Sequence, residues 1–218
     1  MSLLHSPKIV TNGLVLCLDA ASRKSYPGTG NVWRDLSGNG NDGTLTNGPT
    51  FSSANGGSIV FDGINDYINC GQSLITGNNS FSWGSFINPA AGNGTPLFFG
   101  NTSGGEAMLS FYNNNKVRVG VFGSDKLVSN TEIPISSWGY TFWTWDGNTL
   151  RSYTNGLQDG TATGFSFNIS NLYINIGGVF GINQYFNGKI SLVQIYNRAL
   201  TPQEVQQNFN ATRGRYGI

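Results

Sequence analysis

Two carboxylates four residues apart, Asp62 and Asp66, sit in the cluster Asp62-Gly63-Ile64-Asn65-Asp66. Carboxylates gathered on a turn can hold a hard cation such as calcium, which takes oxygen ligands. The same residues can instead close Asx turns on their own backbone. A second candidate is the loop Asp35 to Gly43, where Asp35, Ser37, Asn39 and Gly40 occupy positions 1, 3, 5 and 6 of an EF-hand-like pattern. Position 12 is Thr46 rather than a bidentate Glu, so it is not an EF-hand, and turn formation is the alternative there too. For sugars, aromatic rings are the chemistry to look for, and Trp33, Tyr26, Tyr112 and Tyr185 are candidate contacts in loops. Trp143 and Trp145 share one side of a strand and point together, into either the core or a ligand. Catalysis finds little to work with. Hydrolysis of a glycoside needs two carboxyl groups at a fixed separation, and the three Glu (Glu106, Glu132, Glu204) form no such pair. The single His, His5, lies near the N-terminus, so a Ser-His-Asp or Cys-His mechanism has little support. No catalytic residue is assigned, and the chain is expected not to be an enzyme.

The elements that position these residues are strands. Ser58 to Gly71 reads S-I-V-F-D-G-I-N-D-Y-I-N-C-G, a strand, a turn and a second strand. Leu14 to Leu18 is an uninterrupted apolar run, expected to be a strand buried on both faces. Ser80 to Ile87 and Lys116 to Phe122 alternate at period two, each with one buried face. Trp138 to Trp145 and Leu150 to Tyr153 flank Asp146-Gly147-Asn148, a hairpin signal. Only Thr201-Pro202-Gln203-Glu204 starts a helix, by a capping box with Pro at the first helical position. A dozen or so short strands and one terminal helix predict an all-β antiparallel sandwich, with 1–12 as an N-terminal arm and 13–218 as one domain.

Composition narrows the function classes. Gly is 31 of 218 residues and Asn 27, which suits many turns, while 28 aromatics spread along the chain argue against disorder. A net charge of +1 without a basic cluster excludes an electrostatic nucleic-acid footprint. No apolar run reaches the 18 residues a membrane helix needs. The first residues lack the pattern of a secretory signal, so folding in a cytoplasm is expected, with Cys17 and Cys70 as buried free thiols.

Five segments in order resemble the laminin-G-like, concanavalin A-like lectin/glucanase superfamily: Trp33 to Gly43, Ser58 to Gly71, Phe81 to Pro89, Trp138 to Gly156, and Phe186 to Glu204. The fourth, W-G-Y-T-F-W-T-W-D-G-N-T-L-R-S-Y-T-N-G, and the fifth, F-N-G-K-I-S-L-V-Q-I-Y-N-R-A-L-T-P-Q-E, are similar to that family's hairpin and last strand. The resemblance implies a concanavalin A-like jelly roll, and often a surface calcium ion held by carbonyls near the D-G turn and by carboxylates. Where the family reads I-D-E-V, this chain has Ile190-Ser191-Leu192-Val193, which lacks both carboxylates, among them the one most suited to be a ligand. Related glucanases carry Glu-x-Asp-x-x-Glu, which is missing here. The phrase G-L-V-L-C-L-D-A-A-S-R-K-S-Y-P-G-T-G (13–30) with D-L-S-G-N-G-N is similar to laminin-G-like structural proteins of tailed phages, cyanophages in particular. That likeness implies a virion protein, either a capsid decoration or a fibre or adhesin. Its partners would be other capsid or tail proteins, copies of itself, or host-surface glycans; a free calcium-assisted lectin is the alternative.

Overall fold

The computed structural model describes residues 8–72, 75–100, 108–121, 124–167, 169, 173–179 and 184–218. In chain order its elements begin with β1 (Leu14–Asp19), β2 (Val32–Trp33), β3 (Gly43–Thr46), β4 (Thr50–Ser52), β5 (Ser58–Asp62) and β6 (Tyr67–Gln72). Next come β7 (Phe81–Pro89), β8 (Asn93–Gly100), β9 (Met108–Asn113), β10 (Lys116–Val121), β11 (Ser124–Val128) and β12 (Gly139–Trp145). The chain ends with β13 (Thr149–Thr154), β14 (Leu157–Thr163), β15 (Tyr173–Ile176), β16 (Gly178–Val179), β17 (Gln184–Tyr185), β18 (Asn187–Tyr196) and the helix α1 (Pro202–Thr212).

Two antiparallel eight-stranded sheets face each other. The back sheet runs β14-β13-β12-β7-β18-β5-β4, with β1 also paired to β18; the front sheet runs β11-β10-β9-β8-β15-β6-β3-β2. Inward side chains such as Leu16, Phe61, Trp83, Trp143, Val119, Ile174 and Ile176 interdigitate between them as the main core. A second apolar layer covers the outer face of the back sheet, where Val205 and Phe209 of α1 meet Phe86, Tyr140, Tyr153 and Leu192. That layer explains why β1 and β12 are apolar without alternation: both of their faces are covered. Cys17 lies in the outer layer and Cys70 in the main core, and both are free.

The capping box forms as the sequence predicts. Glu204 N donates to Thr201 Oγ1 and Thr201 N to Glu204 Oε2 (3.3 and 2.9 Å). Residues 8–12 are drawn onto the helix: Val10 N donates to Asn208 Oδ1 (2.8 Å), and Tyr196 Oη donates to Val10 O (2.9 Å). Residues 1–7, including His5, lie outside the described residues. α1 and this strap together cover the outer face of the back sheet.

Candidate functional site

The rim at the β5–β6 turn gathers more of the predicted residues than any other place. Asp66 is buried, and its Oδ2 accepts the Asp62 N–H (3.1 Å), while Asp62 Oδ1 accepts the Ile64 N–H (2.8 Å). These are the Asx bonds that the short polar side chains allow. Gly63 supplies the positive φ of the turn (+78°) and packs on Asn187, whose strand pairs Asn187 with Asp62. Asn47, at φ +68°, donates its Nδ2 to Asn65 O (2.9 Å), joining the β3–β4 turn to the same rim. Gly178 pairs with Tyr185; a Cβ there would stand 2.4 Å from the Tyr185 ring and 3.1 Å from Asp66 O. Four segments thus meet around Asp66, and Ile64 projects from the tip, 71% exposed.

The electrostatics of this rim are uneven. Burial pushes the Asp66 carboxyl above its ordinary range; the Asp62 N–H opposes that, and the Asp62 charge adds to it. Among the described residues no donor reaches Asp66 Oδ1 or Asp62 Oδ2. Calcium needs six to eight oxygens. These two carboxylate oxygens fit it only if main-chain carbonyls and water complete the shell, because among the described residues no three of His, Cys, Asp and Glu come together. Ser191, which stands in for a family carboxylate, is not at this rim. It is four residues beyond Asn187, about 13 Å along β18, and its hydroxyl bonds Gly57 O and the Tyr216 hydroxyl.

The Asp35 loop does a different job. Asp35 Oδ1 accepts from Cys17 N and Ser37 N (2.8 and 2.9 Å), and Oδ2 from Ser37 Oγ and Asn41 N (2.6 and 3.1 Å). Asn39 Nδ2 donates to Leu14 O and Ser37 Oγ, and Asn41 Nδ2 to Val15 O (2.8 Å). Among the described residues β1 pairs only with β18, and this loop satisfies groups on its other edge. The carboxylate and amides that an ion would need are already spent on the backbone.

Three of the four expected sugar contacts need correction. Trp33 is completely buried in the main core, although its short strand gives no periodic signal. Tyr26 is buried with its hydroxyl donating to Gly30 O (2.7 Å), and Tyr112 is buried with its hydroxyl donating to Ile133 O (2.8 Å). Tyr185 alone is half-exposed. Trp83, Trp143 and Trp145 are core as well, and Trp138 donates to Asn55 Oδ1 and lies tilted against the Tyr216 ring. Sequence reasoning passed over Asn47 and Asn187, for which the Asn-Gly pairs 47–48 and 187–188 were the available signal.

A model of the concanavalin A-like lectin/glucanases superfamily matches residues 62–206. The chain belongs to that superfamily. A search of curated proteins finds no match. Among solved structures, the superfamily member described here is similar to domain 4 of AbnA, an extracellular arabinanase from Geobacillus stearothermophilus, in complex with arabinotriose. That match has TM-score 0.71 and 20% identity, covering 89% of this chain and 97% of that one. It is also similar to the binding domain of Paraclostridial Mosquitocidal Protein 1 (TM-score 0.70, 15% identity, 92% and 52% covered). A third match is Trypanosoma rangeli sialidase in complex with sialic acid (TM-score 0.65, 16% identity, 94% and 34% covered). The chain therefore spans about half of the second protein and a third of the third. At these identities the likeness is one of fold.

Proposed function

We propose that this superfamily member is a non-enzymatic carbohydrate-binding domain whose site is the Asp62–Asp66 rim, assisted by calcium. The observation that carries the reading is the buried Asp66 carboxylate beside Asp62, each with one oxygen that no donor reaches among the described residues, bordered by Asn47, Asn65 and Tyr185. A cation would compensate the buried charge, and the amides and phenol would bond sugar hydroxyls. The arabinanase domain that shares the fold was solved with arabinotriose, which favours sugars as the ligand class. The reading as a non-enzyme is supported by Glu204, whose carboxylate is taken up by Arg198 and the helix cap, and by Glu132, which stands exposed and apart from it; Glu106 lies outside the described residues. A glycan array probed with and without calcium tests the proposal. Binding that disappears with chelator and with Asp66→Asn is expected; a blank array under both conditions refutes it.

The finer assignment, a decoration or fibre domain of a phage particle that touches host glycans, rests on the N-terminal phrase. In the fold the D-L-S-G-N-G-N part of that phrase caps β1. Mass spectrometry and antibody labelling of purified virions decide it. Many copies per particle are expected for a decoration and few for a tail fibre, and absence from the particle removes the assignment.

A further inference from the structure

The cover over the back sheet leaves a cleft of about 380 Å³ between the N-terminal strap, the end of α1 and the Asp35 loop. Its floor is the outer face of β1 and β18, where Cys17 and Leu192 are buried, and Ile9 and Leu14 extend the apolar lining. Leu36 stands at the mouth, 41% exposed, and its N–H donates to Cys17 O (2.8 Å), which fixes it there. The buried polar groups of the lining are spent. Thr212 Oγ1 donates back to Asn208 O (2.9 Å), and burial above all keeps the Cys17 thiol neutral. Asp19 Oδ1 accepts from Ala21 N (3.0 Å), and both Asp19 oxygens accept from Arg215 Nη1 (2.7 and 2.8 Å). Lys8 differs: it is exposed at the mouth, and among the described residues no carboxylate pairs with it.

We propose that this cleft binds a medium-chain alkyl carboxylate, its tail on Cys17, Leu36 and Leu192 and its head at Lys8. The proposal stands independently of the rim reading. Size, lining and charge each select that class. The cleft lies near the lower end of the about 300–1,000 Å³ usual for ligand sites. At roughly 30 Å³ per heavy atom, the share of one molecule in liquid water, it takes about a dozen, the size of octanoate or decanoate. A lining of leucine, isoleucine and thiol offers little for sugar hydroxyls to bond, so a polyhydroxyl ligand would lose its water without return. An alkyl tail loses nothing there and gains by burial. Lys8 and Arg215 against Asp19 leave the lining with one positive charge in excess, which a single carboxylate balances. The wall that carries Lys8 is already in place: Gln207 Nε2 donates to Lys8 O (2.7 Å), and Val10 N donates to Asn208 Oδ1 (2.8 Å).

The test is NMR mapping on the full chain in chelator at pH 7, titrated with butanoate, hexanoate, octanoate and decanoate below their micelle concentrations. Octanol and octylammonium serve as the neutral and the cationic control. Octanoate is expected to shift the signals of Cys17, Leu36, Leu192 and Ala211, with affinity rising about fourfold per added methylene from butanoate to octanoate. Octylammonium should bind more weakly than octanoate by about tenfold. Leu36→Asp, at an exposed position, puts a carboxylate at the mouth and should weaken octanoate by about tenfold. Lys8→Glu should weaken octanoate and leave octanol unchanged, and Asp66→Asn should leave octanoate unchanged. No shift at the cleft with any alkanoate, an affinity that ignores chain length, equal binding of octanoate and octylammonium, or a Leu36→Asp protein that binds as tightly as the parent would each overturn the proposal. The mapping uses the unaltered protein, so a variant that fails to fold does not blunt it. Loss of calcium-dependent glycan binding at the rim would leave this result standing, and the reverse also holds.

Discussion

Replacing Glu204 with Gln isolates one charge that fastens α1, and with it the strap and the closed outer face of the back sheet. Gln at this helix position can still accept the Thr201 N–H, so the capping box survives and only the ion pair is lost. In the parent, Arg198 Nη2 and Nη1 reach Glu204 Oε1 and Oε2 at 2.6 and 2.8 Å, and Arg198 Nε donates to Asn12 O. The Arg198 guanidinium outweighs the burial penalty and, helped by the Thr201 N–H, holds the Glu204 carboxyl at about 2 rather than 4.5. That gap converts, at ~1.36 kcal/mol per pH unit, to about 3 kcal/mol as an upper bound. Both side chains are 27% exposed, and solvent screening trims this to about 2 kcal/mol. For a domain of this length the variant should melt roughly 4–8 °C lower at pH 7. A carboxyl depressed on folding contributes stability above its unfolded value and loses it as pH falls. The gap between parent and variant should therefore be full above about pH 5, shrink from 4.5 towards 2, and vanish near pH 2. Thermal melts by circular dichroism across pH 2–7 read it directly. Equal melting at pH 7, or a gap that persists unchanged at pH 2, refutes the reasoning.

Asp66→Asn keeps an oxygen for the Asp62 N–H while removing a carboxyl that burial raises, so its sign is opposite. A raised carboxyl stabilises below its unfolded value and loses that contribution as pH rises through its folded value. In chelator at pH 7 the variant should melt at or above the parent, and calcium should raise the melting point of the parent alone; a calcium response in both would remove Asp66 from the site. Asp35→Ala strips acceptors from Cys17 N, Ser37 N and Asn41 N and should cost about 3–5 kcal/mol in urea unfolding, with no change in calcium affinity. Trp33→Ala should cost about 3–5 kcal/mol as a core truncation and leave glycan affinity unchanged in the folded fraction; a binding loss at full stability would return Trp33 to the ligand. Burial, with the Asp19 and Asp35 charges adding, pushes the Cys17 thiol up to about 12, so native protein should resist thiol reagents that label it once unfolded.

The parts of this fold legible in the sequence are those where one physical signal acts alone. The capping box at Thr201 works within one turn, and the β5–β6 and β12–β13 hairpins carry turn chemistry between apolar runs. The polar edge strands β11 (Ser-Asp-Lys-Leu-Val) and β14 (Leu-Gln-Asp-Gly-Thr-Ala-Thr) were not legible. An edge strand has no reason to alternate and good reason to be charged or polar. Trp33 and Tyr112 misled for a related reason: each is followed by turn residues, so each reads as a loop aromatic, while tertiary packing puts both in the core. The Asp35 loop showed its ligand-like spacing but not its partner, because the edge it caps lies about twenty residues earlier in the chain.

The arrangement of layers decides where a ligand can bind. An outer helix on the back sheet converts five aromatic or tyrosyl side chains there (Phe86, Tyr140, Phe142, Tyr153, Tyr196) from a sticky surface into a second core. Four of the five tryptophans that composition alone offers to sugars are consumed the same way by the first core, and the fifth, Trp138, packs against the second. Among the described residues what is left exposed is sparse: Tyr173 on the front sheet, half-exposed Tyr67 and Tyr185 near the rim, half-exposed Trp138, and amides held by turns. The proposed rim site therefore relies on oxygen ligands and amides rather than on stacked rings.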